Sequence, residues 1–431
     1  MKTAARSLYL HIPFCKAKCA YCDFFSVPAE HVPDRYVDAL CAEIAFHAEA
    51  ENLAAPETVY IGGGTPSLLS PAQLERIMFR LDSLYPSGVK PGAACAPEIT
   101  LEVNPESLCE PFLETALRCG VNRISVGVQA LDDGALRCVR RRCSRERALG
   151  ALSLLSRSGV RFSADMIAGL PELGDTAFVS GLKEVLTYNP EHVSLYALTV
   201  EESTPLYRQI ERGRLAYTEE TTDSQWLAGR ALLERAGYAQ YEVSNFAKPG
   251  CRSRHNTAYW RQRSYAGAGA GAVGTLYDTE AAAAVAITAA AREPATATVA
   301  ITAAAREPAA RVKSALRYAN TADIAVYTDF WTETAPDPRG FAEGADFPLE
   351  RELLDADTLA FEFCMLGLRL REGIAAGEYE ERFGKKLDTA VFEKWRQKGL
   401  AVKYSDCGEI RYALSADGIL FLNAFLSELL A

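Results

Sequence analysis

Three cysteines near the start of the chain stand at a spacing suited to metal chemistry. Cys15, Cys19 and Cys22 follow the pattern Cys-x3-Cys-x2-Cys inside LHIPFCKAKCAYCDFFS. Thiolates are the usual protein ligands of iron–sulfur clusters, and this spacing brings three of them together from one short turn. Three thiolates ligate three irons of a [4Fe–4S] cubane and leave the fourth iron open. The motif therefore predicts a cluster that can bind a small molecule at its open iron.

The alternative to a cluster is zinc. His11 lies shortly before Cys15, and a histidine with three cysteines forms a closed Cys3His zinc site. His11, however, falls inside the first β-rich run, and a closed zinc site leaves the polar residues described next unexplained. The cluster interpretation is therefore favoured. A non-catalytic zinc or iron–sulfur interaction module stays as a further alternative.

The open iron of such a cluster can chelate the amino and carboxylate groups of S-adenosylmethionine (SAM). An electron from the cluster would then cleave the sulfonium bond to give a 5′-deoxyadenosyl radical. Missing side chains in the run Gly62–Gly64 let a ligand approach the backbone closely. Glu102 can bind an ammonium or a ribose hydroxyl, and three further side chains can contact ribose, carboxylate or adenine. These three are Gln129, Arg141 and Asp165.

An alternation of β-rich runs and amphipathic stretches surrounds these residues and predicts the elements that position them. The β-rich runs are 7–12, 58–63, 98–103, 123–128, 162–170 and 192–198, and the amphipathic stretches are 34–50, 71–84, 107–118, 144–158 and 174–187. This order is typical of βαβ units with a parallel sheet. We therefore predict an α/β fold with a partial or full parallel (βα) barrel. Candidate ligands follow several of the runs, and in such barrels the carboxyl ends of the strands carry the chemistry.

Composition narrows the class of protein. The chain has 431 residues with a formal net charge of −10 and 49% hydrophobic residues. That charge argues against a broad nucleic-acid surface, so no nucleic-acid partner is expected. There are 12 cysteines but no secretory signal and no apolar stretch long enough for a membrane span. We therefore expect a cytoplasmic protein whose cysteines are thiols or metal ligands.

The second half of the chain differs from the first in composition and sequence pattern. Residues 264–274 read as a Gly/Ala loop, and in 281–310 the sequence VAITAAAREPA occurs twice. A Pro/Gly/Asp-rich stretch follows at 333–348 and reads as a linker. Beyond it, helical patterns precede two short β runs and a last helix, which predicts a small, mostly helical, winged-helix-like module. We accordingly divide the chain into a barrel (1–275), an Ala-rich duplicated insertion with linker (276–350) and a C-terminal domain (351–431).

Taken together, the motifs resemble the oxygen-independent coproporphyrinogen III oxidase family of radical SAM proteins. The resemblance covers most of the chain. It includes HIPFC-x3-C-x2-C, YIGGGTPS (60–67), E-x-NP (102–105), GVNRISVGVQ (120–129), D-x-x-x-GLP (165–171) and HN-x-x-YW (255–260). It implies a [4Fe–4S] cluster on the three cysteines. It also implies SAM contacts by Tyr9, Tyr21, Gly63, Gly64, Thr65, Glu102, Gln129, Arg141 and Asp165.

Two branches of that family differ at a single informative position. The oxidase proper, an oxygen-independent coproporphyrinogen III dehydrogenase, typically carries a fourth cysteine two residues after the third, and here that position is Phe24. It also has an N-terminal extension, whereas only six residues precede Ser7. The Cys-Asp-Phe sequence, HNTAYW and the small C-terminal domain resemble the heme chaperone branch. We therefore expect a heme chaperone, with the dehydrogenase as the alternative.

The chaperone resemblance implies a third cofactor, heme. Imidazole is a usual axial ligand of heme iron, so we expect heme to bind near His255 in HNTAYW, with Tyr259 and Trp260 offering flat faces. Two departures affect the details: Val273 and Cys143 stand where the family commonly has histidine. Expected partners are heme-acceptor proteins and an electron donor such as flavodoxin or ferredoxin. Peripheral membrane contact stays open, as does the choice between monomer and homodimer.

Overall fold

The βα alternation read from the sequence is present in the folded chain. The computed structural model describes residues 4–86, 96–279, 311–334, 336–337, 341 and 347–430. The helices are α1 (Asp34–Glu49), α2 (Pro71–Leu84), α3 (Glu110–Arg118), α4 (Asp133–Cys138), α5 (Arg145–Ser158), α6 (Asp175–Leu186), α7 (Pro205–Glu211), α8 (Glu219–Arg235), α9 (Arg254–Trp260), α10 (Ile324–Glu333), α11 (Ala356–Gly367), α12 (Ala376–Phe383), α13 (Ala390–Gln397) and α14 (Leu422–Leu430). Short 3-10 turns occur at Pro66–Leu68 and Gly418–Phe421.

Strands account for most of the remaining regular structure. They are β1 (Ala5–Ile12), β2 (Phe14–Cys15), β3 (Val27–Pro28), β4 (Leu53–Gly63), β5 (Glu98–Val103), β6 (Arg123–Gln129), β7 (Arg161–Ala168), β8 (His192–Ala197), β9 (Ala239–Gln240), β10 (Asn245–Ala247), β11 (Tyr265–Ala268), β12 (Val273–Thr279), β13 (Val312–Asn320), β14 (Leu349–Asp355), β15 (Ile374–Ala375), β16 (Ala401–Asp406) and β17 (Glu409–Leu414). Each of the six β-rich runs predicted in the first half of the chain is a strand. The five predicted amphipathic stretches are helices, which confirms the α/β prediction.

The large sheet is an open, partial barrel. Its strand order is β14-β13-β12-β11-β1-β4-β5-β6-β7-β8-β10-β9. The strands from β11 through β1 and β4 to β8 run parallel to their neighbours. The strands at both ends of the sheet are antiparallel. Because the parallel strands share one direction, their carboxyl ends meet at one edge, which we call the mouth of the barrel.

Along each parallel strand, side chains alternate between the two faces of the sheet, and the two faces differ in polarity. Along β5, Ile99, Leu101 and Val103 are buried in the core that the helices cover. The residues between them, Thr100 and Glu102, are polar. The same alternation recurs on the neighbouring strands, with polar Arg123 and Ser125 on β6 or Ser163 and Asp165 on β7 between apolar residues. The apolar face thus stabilises the sheet against its helices, while the other face gives the barrel a polar interior.

Helix boundaries follow local chemistry where the sequence supplies it. Helix α2 begins after Ser70, whose hydroxyl accepts a hydrogen bond from the Gln73 amide, while the Gln73 side chain accepts one from the Ser70 amide. This reciprocal pair satisfies two amides that the first helical turn leaves free. Pro71 at the first helical position fits because it has no amide hydrogen to satisfy. The predicted range 71–84 is confirmed at both ends.

The region 264–350 is more ordered than the sequence suggested. Part of the predicted Gly/Ala loop is β11, which pairs in parallel with β1. Strands β12, β13 and β14 then continue the same sheet, and α10 packs against α1. The interpretation of 276–350 as only insertion and linker is therefore corrected for its described residues. The duplicated segment 281–310 lies outside the described residues.

The C-terminal residues form a second core. Helices α11 to α13, the three-stranded sheet β15-β17-β16 and α14 follow in the predicted order of helices, hairpin and helix. Their core includes Phe363, Phe392, Trp395 and Phe425 and reaches Tyr277 on β12, so the unit packs on the end of the large sheet. No helix in the described ranges combines the length and apolar character needed to cross a membrane.

Candidate functional site

A cavity of ≈ 550 Å³ opens at the mouth of the barrel. Its volume lies within the range of about 300–1,000 Å³ that small-molecule sites occupy. Most of the side chains predicted to hold the cluster and SAM line it together. These are Cys15, Cys19, Tyr21, Cys22, Gly63, Gly64, Thr65, Glu102, Gln129, Arg141 and Asp165. The sequence therefore located one shared site from residues spread over most of the first half of the chain.

The cysteine loop is fixed to the barrel by backbone hydrogen bonds. It leaves β2 at Cys15 and returns at β3, where the Ala29 amide donates to the Cys15 carbonyl at 2.8 Å. Within the loop the Cys22 amide donates to the Cys19 carbonyl at 3.2 Å. The Thr65 hydroxyl donates to the Cys15 sulfur at 3.3 Å. Burial raises the pKa of Cys22 above its ordinary value.

His11 supports this loop and is not a free ligand. Its Nδ1 lies 2.7 Å from the Tyr9 hydroxyl, and its Nε2 lies 3.1 Å from the carbonyl of Phe25. Both ring nitrogens are thus occupied, which disfavours the Cys3His zinc alternative. Gly63 has φ of +110° and no room for a side chain, since a Cβ there would lie 2.5 Å from the His11 ring. Among the described side chains, no three His, Cys, Asp or Glu groups surround a single-ion centre.

Glu102 is a buried carboxylate held in one orientation. The Tyr60 hydroxyl donates to its Oε1 at 2.6 Å, and the Gly63 amide donates to its Oε2 at 3.0 Å. Burial raises the pKa of Glu102, and the nearby Asp165 carboxylate raises it further. A cationic ligand group in the cavity would relieve both effects, because it favours the ionised form. This geometry suits binding of an ammonium or a hydroxyl.

Arg141 extends from the loop after α4 into the cavity. Its Nη2 donates to the Asn104 side-chain oxygen and to the Gly127 carbonyl, both at 2.7 Å. Its Nη1 lies 3.8 Å from the Cys19 sulfur. Gln129 ends β6 with φ of +67°, a conformation unusual for a residue with a side chain. The Arg141 guanidinium therefore faces both the cysteine loop and the residues predicted to bind SAM.

Asp165 is the second buried carboxylate of the cavity. The Ser125 hydroxyl donates to it at 3.0 Å and the Ser163 hydroxyl at 3.2 Å. Burial raises its pKa, while these hydrogen bonds and the buried Arg123 act in the opposite direction. Asp165 and Glu102 thus enter the cavity from neighbouring parts of the sheet with Arg123 as a shared countercharge.

Three polar atoms of the cavity wall have no hydrogen-bond partner among the described residues. They are Arg141 Nε, Glu106 Oε2 and Ser26 Oγ. Buried polar groups are rarely left unpaired, so such atoms mark a place where a ligand completes the structure. Together with three converging thiols and two buried carboxylates, they fit a cluster and a zwitterionic small molecule such as SAM. The residues present therefore agree with the predicted cofactors.

Two predicted site residues lie elsewhere. Tyr9 is half-buried outside the cavity lining, where its hydroxyl contacts His11 and its ring centroid lies 6.2 Å from that of Tyr60. His255 lies deeper still. Its Nδ1 contacts the Thr58 hydroxyl at 2.8 Å, and Thr58 precedes Gly63 on β4 by about 16 Å at ~3.3 Å per residue.

The heme contact of His255 stays a prediction, and in this conformation its ring is enclosed by other side chains. Its Nε2 contacts the Tyr259 hydroxyl at 2.6 Å, and the side chain is 1% exposed. Burial lowers its pKa to about 3, so the ring is neutral. With both nitrogens hydrogen-bonded, neither is available to heme iron. The sequence could not show this, because Thr58 is close to His255 only through the packing of α9 against β4.

The neighbouring motif residues and the two departures also lie outside the cavity lining. Tyr259 packs against Tyr265, with ring centroids 4.5 Å apart. The Trp260 ring lies under the Arg369 guanidinium at 4.4 Å. Cys143 is buried, its thiol donates to the Ser144 carbonyl, and burial raises its pKa to about 11. Val273 begins β12 and is partly exposed.

Sequence reasoning missed some residues that the structure adds to the site. Tyr60 and Ser125 orient the two carboxylates, and Glu106 and Tyr196 line the cavity. A signal was present for the first two. Each lies two residues before or after another polar residue on a strand whose intervening positions are apolar, which places it on the inner face.

Comparisons with known proteins agree with this site. Residues 9–184 match the Radical SAM superfamily, and residues 354–402 match the HemN C-terminal domain. The first of these families implies a [4Fe–4S] cluster and SAM. The solved structure of coproporphyrinogen III oxidase (HemN) from Escherichia coli, described as a radical SAM enzyme, has the same fold. Its TM-score is 0.70 at 20% identity, with 99% of this chain and 90% of that chain covered.

Relatives with curated names extend the comparison to full length. Heme chaperone HemW of Escherichia coli is 31% identical over 438 residues, which cover 100% of both chains. Heme chaperone HemW of Synechocystis is 36% identical over 282 residues. The latter match covers 63% of this chain and 66% of that relative, so this alignment spans slightly less than two thirds of the relative's length. From the full-length match and the assembled radical SAM site, the chain belongs to the heme chaperone HemW family of radical SAM proteins.

Proposed function

We propose that this chain is a heme chaperone, which binds heme and delivers it to acceptor proteins, with a [4Fe–4S] cluster and SAM in the barrel mouth. Family membership and the cavity lining support this proposal. When bound, the cluster and SAM supply one-electron chemistry at the mouth. The three cysteines would ligate the cluster, while Glu102 and Asp165 would orient SAM and Arg141 would bridge the two cofactors.

Phe24 is the observation on which the choice of function rests. It lines the mouth cavity two residues after Cys22, yet its side chain is 74% exposed. An aromatic side chain left this open has a cost in water that a flat apolar partner would remove. The dehydrogenase branch typically carries a cysteine at this position, so Phe24 puts an apolar ring where that branch has a thiol.

The surroundings of Phe24 match the remaining chemistry of heme. Heme is a flat macrocycle with two carboxylates on one edge. Leu68 and Leu198 add apolar surface to the cavity, and Lys16 and Arg142 line it without an ion pair among the described residues. Since His255 is occupied, we propose that heme lies at this rim, with Phe24 on its face and the two cations on its carboxylates.

The proposal includes partners and a compartment. A chaperone hands its heme to acceptor proteins, and a cluster at the mouth needs an electron donor such as flavodoxin or ferredoxin. All cysteines of the described residues are free thiols, which suits the reducing cytoplasm. The mouth and its rim are where we expect both kinds of partner to dock.

Heme titration of anaerobically reconstituted protein tests this function. We expect saturable binding with a shifted Soret band, and binding at least about ten-fold weaker in Phe24→Ser, because the loss of one buried aromatic face removes about 1.5–3 kcal/mol. The matched control is Phe79→Ser. Phe79 on α2 is also 74% exposed but does not line the cavity, so its replacement should not change the heme affinity.

Two results would contradict the proposal. Equal losses in the Phe24 and Phe79 variants would show that heme binds apolar surface without a site. Formation of protoporphyrinogen from coproporphyrinogen III with SAM and a reductant, by protein that does not bind heme, would assign the chain to the dehydrogenase function.

A further inference from the structure

The helix that carries HNTAYW closes the inner end of the barrel. The His255 amide donates to Glu98 Oε1 at 3.0 Å, and its Nδ1 contacts the Thr58 hydroxyl at 2.8 Å. Glu98 and Thr58 are paired neighbours on β5 and β4. Helix α9 is thus fixed to two strands, at a level well below the mouth.

His255 is the lowest of three side chains that are stacked in one column. The His255 ring stacks on the Tyr60 ring with a centroid distance of 5.1 Å and an interplanar angle of 28°. The Tyr60 hydroxyl donates to Glu102 at 2.6 Å, and the other carboxylate oxygen of Glu102 accepts from the Gly63 amide. We call His255, Tyr60 and Glu102 the His255 column. It connects the HNTAYW motif to the cavity through direct contacts.

The column has little freedom to move. A Cβ at Gly62 would lie 2.8 Å from Tyr60 Cε1 and 3.0 Å from the Glu102 carboxyl carbon. Glycine at that position therefore lets the tyrosine and the carboxylate pack directly against the strand. The neutral His255 ring is fixed from both sides by hydroxyl groups, since Thr58 and Tyr259 can each donate or accept. A rigid ring under Tyr60 in turn fixes where its hydroxyl points.

We propose that His255 is a positioning residue for SAM, which acts through Tyr60 to orient the Glu102 carboxylate in the mouth cavity. The inference rests on the proposed function in one respect, the assignment of Glu102 to SAM. It gives HNTAYW a role that needs no heme contact. Orientation matters because a carboxylate binds an ammonium or hydroxyl strongly only when its oxygens already point at the partner.

The test measures the dissociation constant of SAM on the full-length, anaerobically reconstituted protein. Tyr60→Phe keeps the stacked ring and removes only the hydroxyl, so we expect SAM binding about ten-fold weaker at unchanged iron content. His255→Ala should weaken SAM binding by a similar factor, and His255→Gln, which can still bond Thr58, should lie between it and wild type. The EPR signal of the reduced cluster should respond to SAM only at correspondingly higher SAM concentrations.

The control is another tyrosine whose hydroxyl contacts β4. Tyr85 donates to the Leu53 carbonyl of β4 at 2.6 Å, outside the His255 column. Tyr85→Phe should therefore bind SAM with the affinity of wild type. Heme affinity should be unchanged in His255→Ala, and loss of heme binding with normal SAM binding in that variant would overturn the inference.

Glu102→Gln separates this inference from the proposed function. If that variant binds SAM as tightly as wild type, the SAM role of Glu102 is wrong, and the inference fails with it. If Glu102→Gln weakens SAM binding but Tyr60→Phe and His255→Ala do not, the His255 column has no positioning role, while the proposed function is unaffected.

Discussion

The mouth and the floor of the barrel are built from the same polar residue types, yet they differ in how those residues are satisfied. At the mouth, Arg141 Nε and Glu106 Oε2 have no partner among the described residues. At the floor, by which we mean His192 and His255 with their hydroxyl partners, every ring nitrogen is hydrogen-bonded. The partners are Ser163 and Tyr241 for His192, and Thr58 and Tyr259 for His255. The unpaired atoms at the mouth indicate a ligand, whereas the paired histidines of the floor indicate a support.

The mouth and the floor also differ in the ionisation of their buried groups. Burial raises the pKa of both Glu102 and Asp165 at the mouth, and Arg123 partly opposes the rise. The same Arg123 adds to burial in lowering the pKa of His192 and His255 at the floor. One buried cation thus favours ionised carboxylates above it and neutral imidazoles beside it. The mouth is prepared for a cationic ligand, and the floor carries no charge of its own on its histidines.

Removing one thiol should produce the largest effect at the mouth. In Cys19→Ser we expect nearly complete loss of iron and acid-labile sulfide after reconstitution, because a hydroxyl does not replace a thiolate as an iron ligand. Cys109→Ser is the control, since Cys109 is exposed and does not line the cavity. Iron and sulfide analysis of both proteins checks this. Normal cluster content in Cys19→Ser would remove the basis for treating the mouth as a cofactor site.

Arg141 gives the next largest effect. Arg141→Gln removes the guanidinium that bonds Asn104 and Gly127 and faces Cys19. We expect SAM binding at least about ten-fold weaker, since a hydrogen bond to a charged group contributes about 1.5–3 kcal/mol. Equilibrium binding of SAM measures it. Arg137→Gln, on the exposed side of α4, should bind as wild type, and a comparable loss there would mean that general charge, and not the site, controls affinity.

The sequence predicts much of this difference between the mouth and the floor. The β-rich runs and their amphipathic partners are strong periodic signals, and parallel strands bring their carboxyl ends together by geometry alone. The sequence alone therefore predicts that Cys15, Gly63 and Gln129 lie at one edge. The short polar-apolar alternation also explains why Glu102 faces inward while Leu101 and Val103 pack under helices.

The sequence does not predict the side-chain contacts of the floor in the same way. His255 resembles a free ligand in the sequence because its partner Thr58 carries no signal for a contact between α9 and β4, and Tyr259, four residues on in α9, occupies only the other ring nitrogen. Strand β11 was missed because small residues such as Gly267 and Ala268 have low β propensity, and its pairing with β1 supplies the stability that propensity does not. Tertiary contacts decided both features.

The smallest predicted effect tests the floor through pH. Because burial lowers the pKa of His255 to about 3, the folded protein binds no proton there between about pH 3 and 6.5, whereas the unfolded chain does. The unfolded state thus gains protons as pH falls, and stability should be lost below about pH 6.5. From about pH 7.5 to 5.5 we expect the free energy of unfolding to fall by about 1 kcal/mol for His255, and to fall further because burial also lowers the pKa of His192.

Urea unfolding at the two pH values measures this loss. His255→Gln has lower stability at both pH values but no longer titrates at position 255, so its pH-dependent loss should be smaller than that of wild type by about 1 kcal/mol. His31→Gln is the matched control, because His31 is exposed, and it should keep the full dependence of wild type. An unchanged pH dependence in His255→Gln would mean that the imidazole protonates without unfolding. In that case the histidines of the floor would be as accessible to protons as the groups at the mouth. The distinction between hydrogen-bonded supporting residues and ligand-binding residues with unpaired atoms would then not hold for this barrel.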